Sequence, residues 1–226
     1  MAIFAHRGLV DVEKNIYENS LKSLQNALDA GFLAIEFDIW FIDQQLIISH
    51  DEPKNSQSSL NLFDFLQHSL LHSKKSLLYW LDFKNVSLHN ATEIAIQTKN
   101  IIENLNLPLK NCYFAPFITD YHLAKQIHTK WQNIFSDFSF MAVLEHESQF
   151  SECQKFIIEN QINHLSINHH LLKNQFIMNS LKKNSPNIKL FAWTIKNRET
   201  YLNLQQQQIE NFASDIVLHH LPSLNA

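Results

Sequence analysis

Glycine is nearly absent. The 226 residues hold two, Gly8 and Gly31, where average usage of about 7% would give roughly 16. A composition that avoids glycine elsewhere keeps both near its start, and backbone demand explains that placement better than chance. There is no G-x-G-x-x-G, which argues against a dinucleotide-binding open sheet. Cysteine is scarce too, with Cys112 and Cys153 only. Neither has metal-ligand spacing and two make no disulfide framework, so two buried free thiols are expected. No apolar run reaches the ~18 residues of a membrane span. The opening MAIFAHRG has no basic n-region or apolar h-region, so no signal peptide is expected and the cytoplasm is the default location. No run of like charges marks a membrane-binding patch. A formal net charge of −4 gives no reason to expect a nucleic-acid partner.

What is present is alternation. Hydrophobic residues make up 45% of the chain, enough for a sizeable core, and the length suits one domain over residues 1–226. Strand-like runs are expected at Ala2–Ala5, Leu33–Trp40, Leu77–Phe83, Cys112–Ala115, Ser139–Leu144, Ile162–Ile167, Ile188–Ile195 and Ala213–Leu218. Between them lie amphipathic stretches: Asn19–Ala30 with Gly31 closing it, Leu60–Leu71, Ala91–Leu105, Asp120–Lys130 capped by Thr119, Glu147–Asn160, His170–Lys183 and Arg198 to about Gln208. Eight strands and seven full helices predict a (β/α)₈ barrel with a clipped last helix. In such barrels the chemistry sits at the carboxyl ends of the strands. His6, Glu36, Asp38, Asp82, Lys84 and Trp193 all fall at or near those ends. The alternative architecture is an open doubly wound sheet.

The densest chemistry runs from His6 to Asp51. Phe4-Ala5-His6-Arg7-Gly8 reads as a strand whose end carries a base and a cation, with Gly8 allowing a tight exit. Glu36 and Asp38 interrupt an apolar strand and, two apart, share a face. Two buried carboxylates repel unless a cation or a shared proton compensates, and paired oxygen donors suit Mg²⁺ or Ca²⁺. The other reading is a solvated strand face. Gln45–Ser49 runs apolar into His50-Asp51. Two imidazoles that titrate near neutrality can act as acid and base.

Taken together, His6-Arg7-Gly8, Glu18-Asn19-Ser20, Gly31–Asp38 as GFLAIEFD, and His50-Asp51 resemble the glycerophosphodiester phosphodiesterase family. Weaker echoes are Asp82-Phe83-Lys84 and Trp193-Thr194-Ile195. The resemblance implies a (β/α)₈ barrel that hydrolyses a glycerophosphodiester to an alcohol and glycerol phosphate. It implies one divalent cation, Mg²⁺ or Ca²⁺, on Glu36, Asp38 and Asp82, and His6 and His50 as the acid–base pair. Arg7 and Lys84 would bind phosphate, Glu18 would support the metal and His6 together with Asn19, and Trp193 would line the head-group side. The expected partner is a small phosphodiester, either a glycerophosphodiester or a lysophospholipid head group.

The chain departs from the family pattern in several places. Tyr17 replaces the proline before E-N. Asp82 stands where the family has Glu, one methylene longer. After Asp51 the usual arginine, threonine and capping insertion are missing, and Glu52–Ser76 leaves room for one loop and one helix. A shortened cap implies an open site. His219-His220 stand near the family's Thr-Asp, before Pro222, and are expected to be exposed. Asp82 with Lys84 can also be read as a plain surface ion pair, and Trp193 as a core aromatic. Two other functions stay open: a phospholipase C- or D-like lyase giving a cyclic phosphate, and a barrel that binds a phosphorylated ligand without turnover.

Overall fold

The computed structural model describes residues 2–56 and 59–216. Short β-branched and aromatic runs alternate with stretches of helical period, and the chain winds strand, helix, strand around one axis. In order the elements are β1 (Ala2–His6), α1 (Leu21–Asp29), β2 (Ala34–Ile42), β3 (Gln45–Ile48), α2 (Leu62–His72), β4 (Leu78–Phe83), α3 (Ala91–Asn104) and β5 (Cys112–Pro116). Then come α4 (Tyr121–Gln132), β6 (Ser139–Leu144), α5 (Phe150–Glu159), β7 (His164–Asn168), α6 (Gln175–Asn184), β8 (Lys189–Ile195), α7 (Arg198–Gln206) and β9 (Asn211–Ser214). β1, β2 and β4 to β9 are parallel, and β1 pairs with both β9 and β2, which closes an eight-stranded barrel. β3 is an antiparallel addition to β2, reached through a turn in which Asp43 and Gln44 both have positive φ.

The two-residue period sorts side chains into layers. One face of every strand packs outward against the helices and forms the main core, where Ile35, Phe37, Leu81 and Leu165 are fully or almost fully buried. The other face fills the barrel. Phe4, Ala34, Trp80, Ala115, Met141, Phe191 and Ala213 form an apolar floor. Two residues further along the same strands stand His6, Glu36, Asp82, Trp193 and Asp215. Those five strands therefore carry packing below and chemistry at or just beyond their upper ends.

Several boundaries differ from those expected. Thr119 does not cap α4; the Asp120 carboxylate accepts the His122 and Leu123 N–H groups instead. The expected helix 147–160 opens with a 3₁₀ turn before α5. The one expected from His170 is a 3₁₀ turn followed by α6, because Asn174 caps the Phe176 and Ile177 amides and restarts the helix. β9 begins two residues before Ala213. Residues 217–218 of the expected strand, the clipped final helix, His219, His220 and Pro222 lie outside the described residues. Between β3 and α2 the described residues form a loop and no inserted helix or strand, and α2 packs on α1. Among the described residues no helix is long and apolar enough to cross a membrane.

Candidate active site

The exit from β1 builds one wall. Arg7 (φ 55) and Gly8 (φ 77) both take left-handed backbone. At Arg7 this costs on the order of 1 kcal/mol, and it aims the Arg7 amide at Glu36 Oε2, 2.9 Å away. Gly8 passes so close to α1 that a Cβ there would lie 2.6 Å from Ser23 Oγ and 2.7 Å from the Ser23 carbonyl carbon. The Ser23 hydroxyl in turn donates to the Arg7 carbonyl at 3.1 Å. At the other end of α1, Gly31 sits in the left-handed position of a Schellman closure, with Gly31 N–H to Leu28 O and Phe32 N–H to Ala27 O, both 3.0 Å. Both glycines therefore meet backbone requirements.

Glu36 and Asp38 lie inside the barrel, 3% and 1% exposed, so the solvated-face reading is excluded. With Asp82 they present oxygens within 4.8 Å of one another. Lys84 stands among them, its ammonium 2.6 Å from Asp38 Oδ1 and 2.7 Å from Asp82 Oδ2. Asp82 and Lys84 are therefore part of the interior cluster rather than a surface pair. The Lys84 ammonium also lies 5.2 Å from the centre of the Phe117 ring. Asn19, itself with positive φ, clamps Asp38 twice: its amide donates to Oδ2 at 2.7 Å and its carbonyl accepts the Asp38 N–H at 3.2 Å. Arg7 Nε lies 3.1 Å from the same Oδ2 without an aligned hydrogen bond.

Three carboxylates thus face two fixed cations, and the charge does not balance. Burial, with the Asp38 charge beside it, pushes Glu36 up to about 7 against the pull of His6. Burial works the same way on Asp38, but Lys84 and Arg7 together outweigh it and hold the group below its ordinary value. On Asp82 burial wins over Lys84 and raises the carboxyl. Asp82 Oδ1 is buried with no hydrogen-bond partner among the described residues. An unpartnered buried carboxylate oxygen beside two others fits a hard divalent cation. The donor set is all oxygen, as Mg²⁺ and Ca²⁺ prefer.

His6 stands beside the triad. Its Nδ1 lies 2.7 Å from Asp215 Oδ1, which directs Nε2 toward the cavity, 3.9 Å from Glu36 Oε2 and 3.3 Å from Thr194 Oγ1. Burial disfavours the imidazolium, yet Glu36 and then Asp215 more than offset it, and the pKa lies above its ordinary value. His50 follows β3 and lines the same cavity. Its carbonyl accepts from Trp40 Nε1 at 3.2 Å, and its Nδ1 lies 2.9 Å from Asp51 and 3.6 Å from Glu18. Glu18 holds Arg7 Nη1 at 2.8 Å. It therefore links Arg7 and His50 rather than touching His6.

A cavity of about 270 Å³ opens between these groups, lined by both histidines, Arg7, Lys84, the three acids and Trp193. All the expected residues except Glu18 and Asn19 line it, and those two support it from behind. Trp193 is half-buried, 6.1 Å from the Phe117 ring, so it is a cavity wall as well as a packed aromatic. Asp215, Thr194, Ser166 and Glu145 were not anticipated. For Asp215 the signal was present: Phe212-Ala213-Ser214 is an apolar run ending in an acid.

No protein-family model matches the sequence, and no curated protein does. Solved structures do match. A glycerophosphodiester phosphodiesterase from Parabacteroides distasonis is 15% identical with a TM-score of 0.75, over 96% of this chain and 94% of that one. An Oleispira antarctica phosphodiesterase in complex with the product sn-glycerol-3-phosphate is 15% identical, TM-score 0.73, over 96% and 94%. The enzyme from Thermotoga maritima is 17% identical, TM-score 0.69, over 97% and 96%. The chain has the fold of the glycerophosphodiester phosphodiesterases over nearly its whole length.

Proposed function

We propose that this protein is a divalent-metal-dependent phosphodiester hydrolase that cleaves a glycerophosphodiester to an alcohol and glycerol phosphate. The observation that carries the reading is one cavity lined by two histidines, three acids and two cations. The product bound by the Oleispira phosphodiesterase and the small cavity both support a small substrate.

Glu36, Asp38 and Asp82 would hold Mg²⁺ or Ca²⁺. Such an ion supplies charge to the non-bridging oxygens as the phosphorus centre accepts a nucleophile. Arg7 and Lys84 supply further positive charge toward the phosphate. One histidine takes the proton of the attacking water, and the other gives a proton to the leaving alkoxide as its P–O bond breaks. Asp215 keeps the His6 Nδ1 proton in place and leaves Nε2 for transfer. Glu18 holds Arg7 beside His50, Asn19 fixes Asp38, and Trp193 with Phe117 lines the alcohol side. Two buried free thiols, Cys112 and Cys153, fit a reducing compartment, and we read the protein as cytoplasmic.

Phosphorus NMR of the reaction tests the function. Linear glycerol phosphate from a glycerophosphodiester, in the presence of Mg²⁺ or Ca²⁺, supports it. A cyclic phosphate product would replace hydrolysis with attack by the substrate's own hydroxyl, and no turnover across a panel of diesters would remove the reading.

A further inference from the structure

A second cavity, of about 420 Å³, lies beyond Trp193 and Thr194 and shares both residues with the catalytic cavity. Its remaining walls are the ends of β7 and β8 and the start of α7. Among the described residues, the charged or titratable groups lining it are His169, His170 and Lys196, and no carboxylate lines it. The contrast is sharp, because the catalytic cavity holds Glu36, Asp38, Asp82 and Glu145. Glu147, on the 3₁₀ turn before α5, is engaged by the Asn174 amide at 2.8 Å, and Glu199, in the first turn of α7, does not line the cavity. His169 is fixed in place, with Nδ1 3.0 Å from the Trp193 carbonyl. Asn197 caps α7 through the Thr200 amide at 2.9 Å, so the positive end of that nine-residue helix adds to the same field.

We propose that this cavity takes an anionic substituent, a phosphate or a carboxylate, carried by the alcohol half of the diester. The proposal rests on the hydrolase reading above and names its substrate class: a diester whose scissile phosphate sits by the acids and whose second negative charge sits by Lys196. Cationic head groups would meet Lys196 unfavourably.

The test compares kcat/KM for glycerol phosphate diesters whose alcohols are glycerol, glycerol phosphate, glycerate and ethanolamine, using wild type and Lys196→Glu. At low salt the two anionic alcohols should exceed glycerol by about tenfold, and added salt should shrink that advantage. Between them, the phosphate and carboxylate arms show which anion is meant. Lys196→Glu should abolish the preference and leave hydrolysis of bis(p-nitrophenyl) phosphate unchanged. Equal kcat/KM for charged and neutral alcohols, preference for the ethanolamine diester, or an equal loss on all substrates would each overturn the proposal. If no diester is turned over, the hydrolase reading fails, and inorganic phosphate still reads the cavity. Its binding should shift the His169 and His170 imidazole NMR signals in wild type and not in Lys196→Glu. No shift in wild type overturns the site.

Discussion

Asp215 Oδ1 sits 2.7 Å from His6 Nδ1, and these two residues are 209 positions apart. The contact fixes which imidazole nitrogen meets the substrate. A carboxylate acceptor holds the proton on Nδ1, so a neutral His6 presents Nε2 as the base. Asp215→Asn keeps the shape and loses the charge. It should lower kcat on a diester by roughly tenfold, whereas His6→Ala should lower it by about 10²–10⁴-fold. Steady-state kinetics checks both, and wild-type kcat in Asp215→Asn would contradict the role.

The metal-free protein keeps a proton on Glu36 up to about pH 7. The sign follows from that raised value: below pH 7 an ion must displace the proton, and above pH 7 it need not. Apparent ion affinity should therefore rise about tenfold per pH unit up to pH 7 and then level. Calorimetry in buffers of different ionisation enthalpy should detect proton release at pH 6 and little at pH 8. An affinity independent of pH from 5.5 to 8 contradicts it.

Gly8 has positive φ and no room for a Cβ beside Ser23, whereas Gly31 has positive φ with open space around it. Gly8→Ala should cost roughly 2–3 kcal/mol and Gly31→Ala about 1 kcal/mol. Thermal unfolding distinguishes them. Equal losses would mean that the close packing of Gly8 on α1 is not what fixes the β1 exit.

His164 projects into the floor of the barrel, 5.4 Å from the Tyr113 ring and 5.8 Å from Phe191. Burial, helped by Lys189, pushes it down to about 4. The folded value lies below the unfolded one, so the unfolded chain binds the proton more readily and stability falls as pH drops from 6.5 toward 4. At about 1.4 kcal/mol per pH unit the ceiling is roughly 3 kcal/mol. His164→Phe should flatten that part of the stability profile. An unchanged slope, by denaturant unfolding at each pH, would contradict it.

Local pattern carried much of this architecture. Ser139–Leu144 was bounded correctly, because an apolar strand between polar segments declares both ends. His6, Glu36, Asp38 and His50 were legible because each interrupts or ends an apolar run. The cluster around Lys84 was half legible: Asp82 and Lys84 stand together at the end of an apolar strand run, but only the barrel brings Asp38 across to the same ammonium. Asp215 was missed for the opposite reason. Its partner lies at the other end of the chain, and the motif comparison drew attention to His219-His220 instead. The 3₁₀ turn before α6 was missed because an apolar repeat at 171, 172, 177 and 178 runs through the Asn174 cap that divides it.

The most direct measurement is hydrolysis of bis(p-nitrophenyl) phosphate after EDTA treatment, with Mg²⁺ or Ca²⁺ restored, in wild type, His6→Ala and Asp82→Asn. The expected result is activity lost with EDTA, regained with one of the ions, abolished in His6→Ala, and in Asp82→Asn regained only at about tenfold or more higher ion concentration. Activity that survives EDTA, or persists in His6→Ala, would contradict a metal-dependent histidine mechanism at this site.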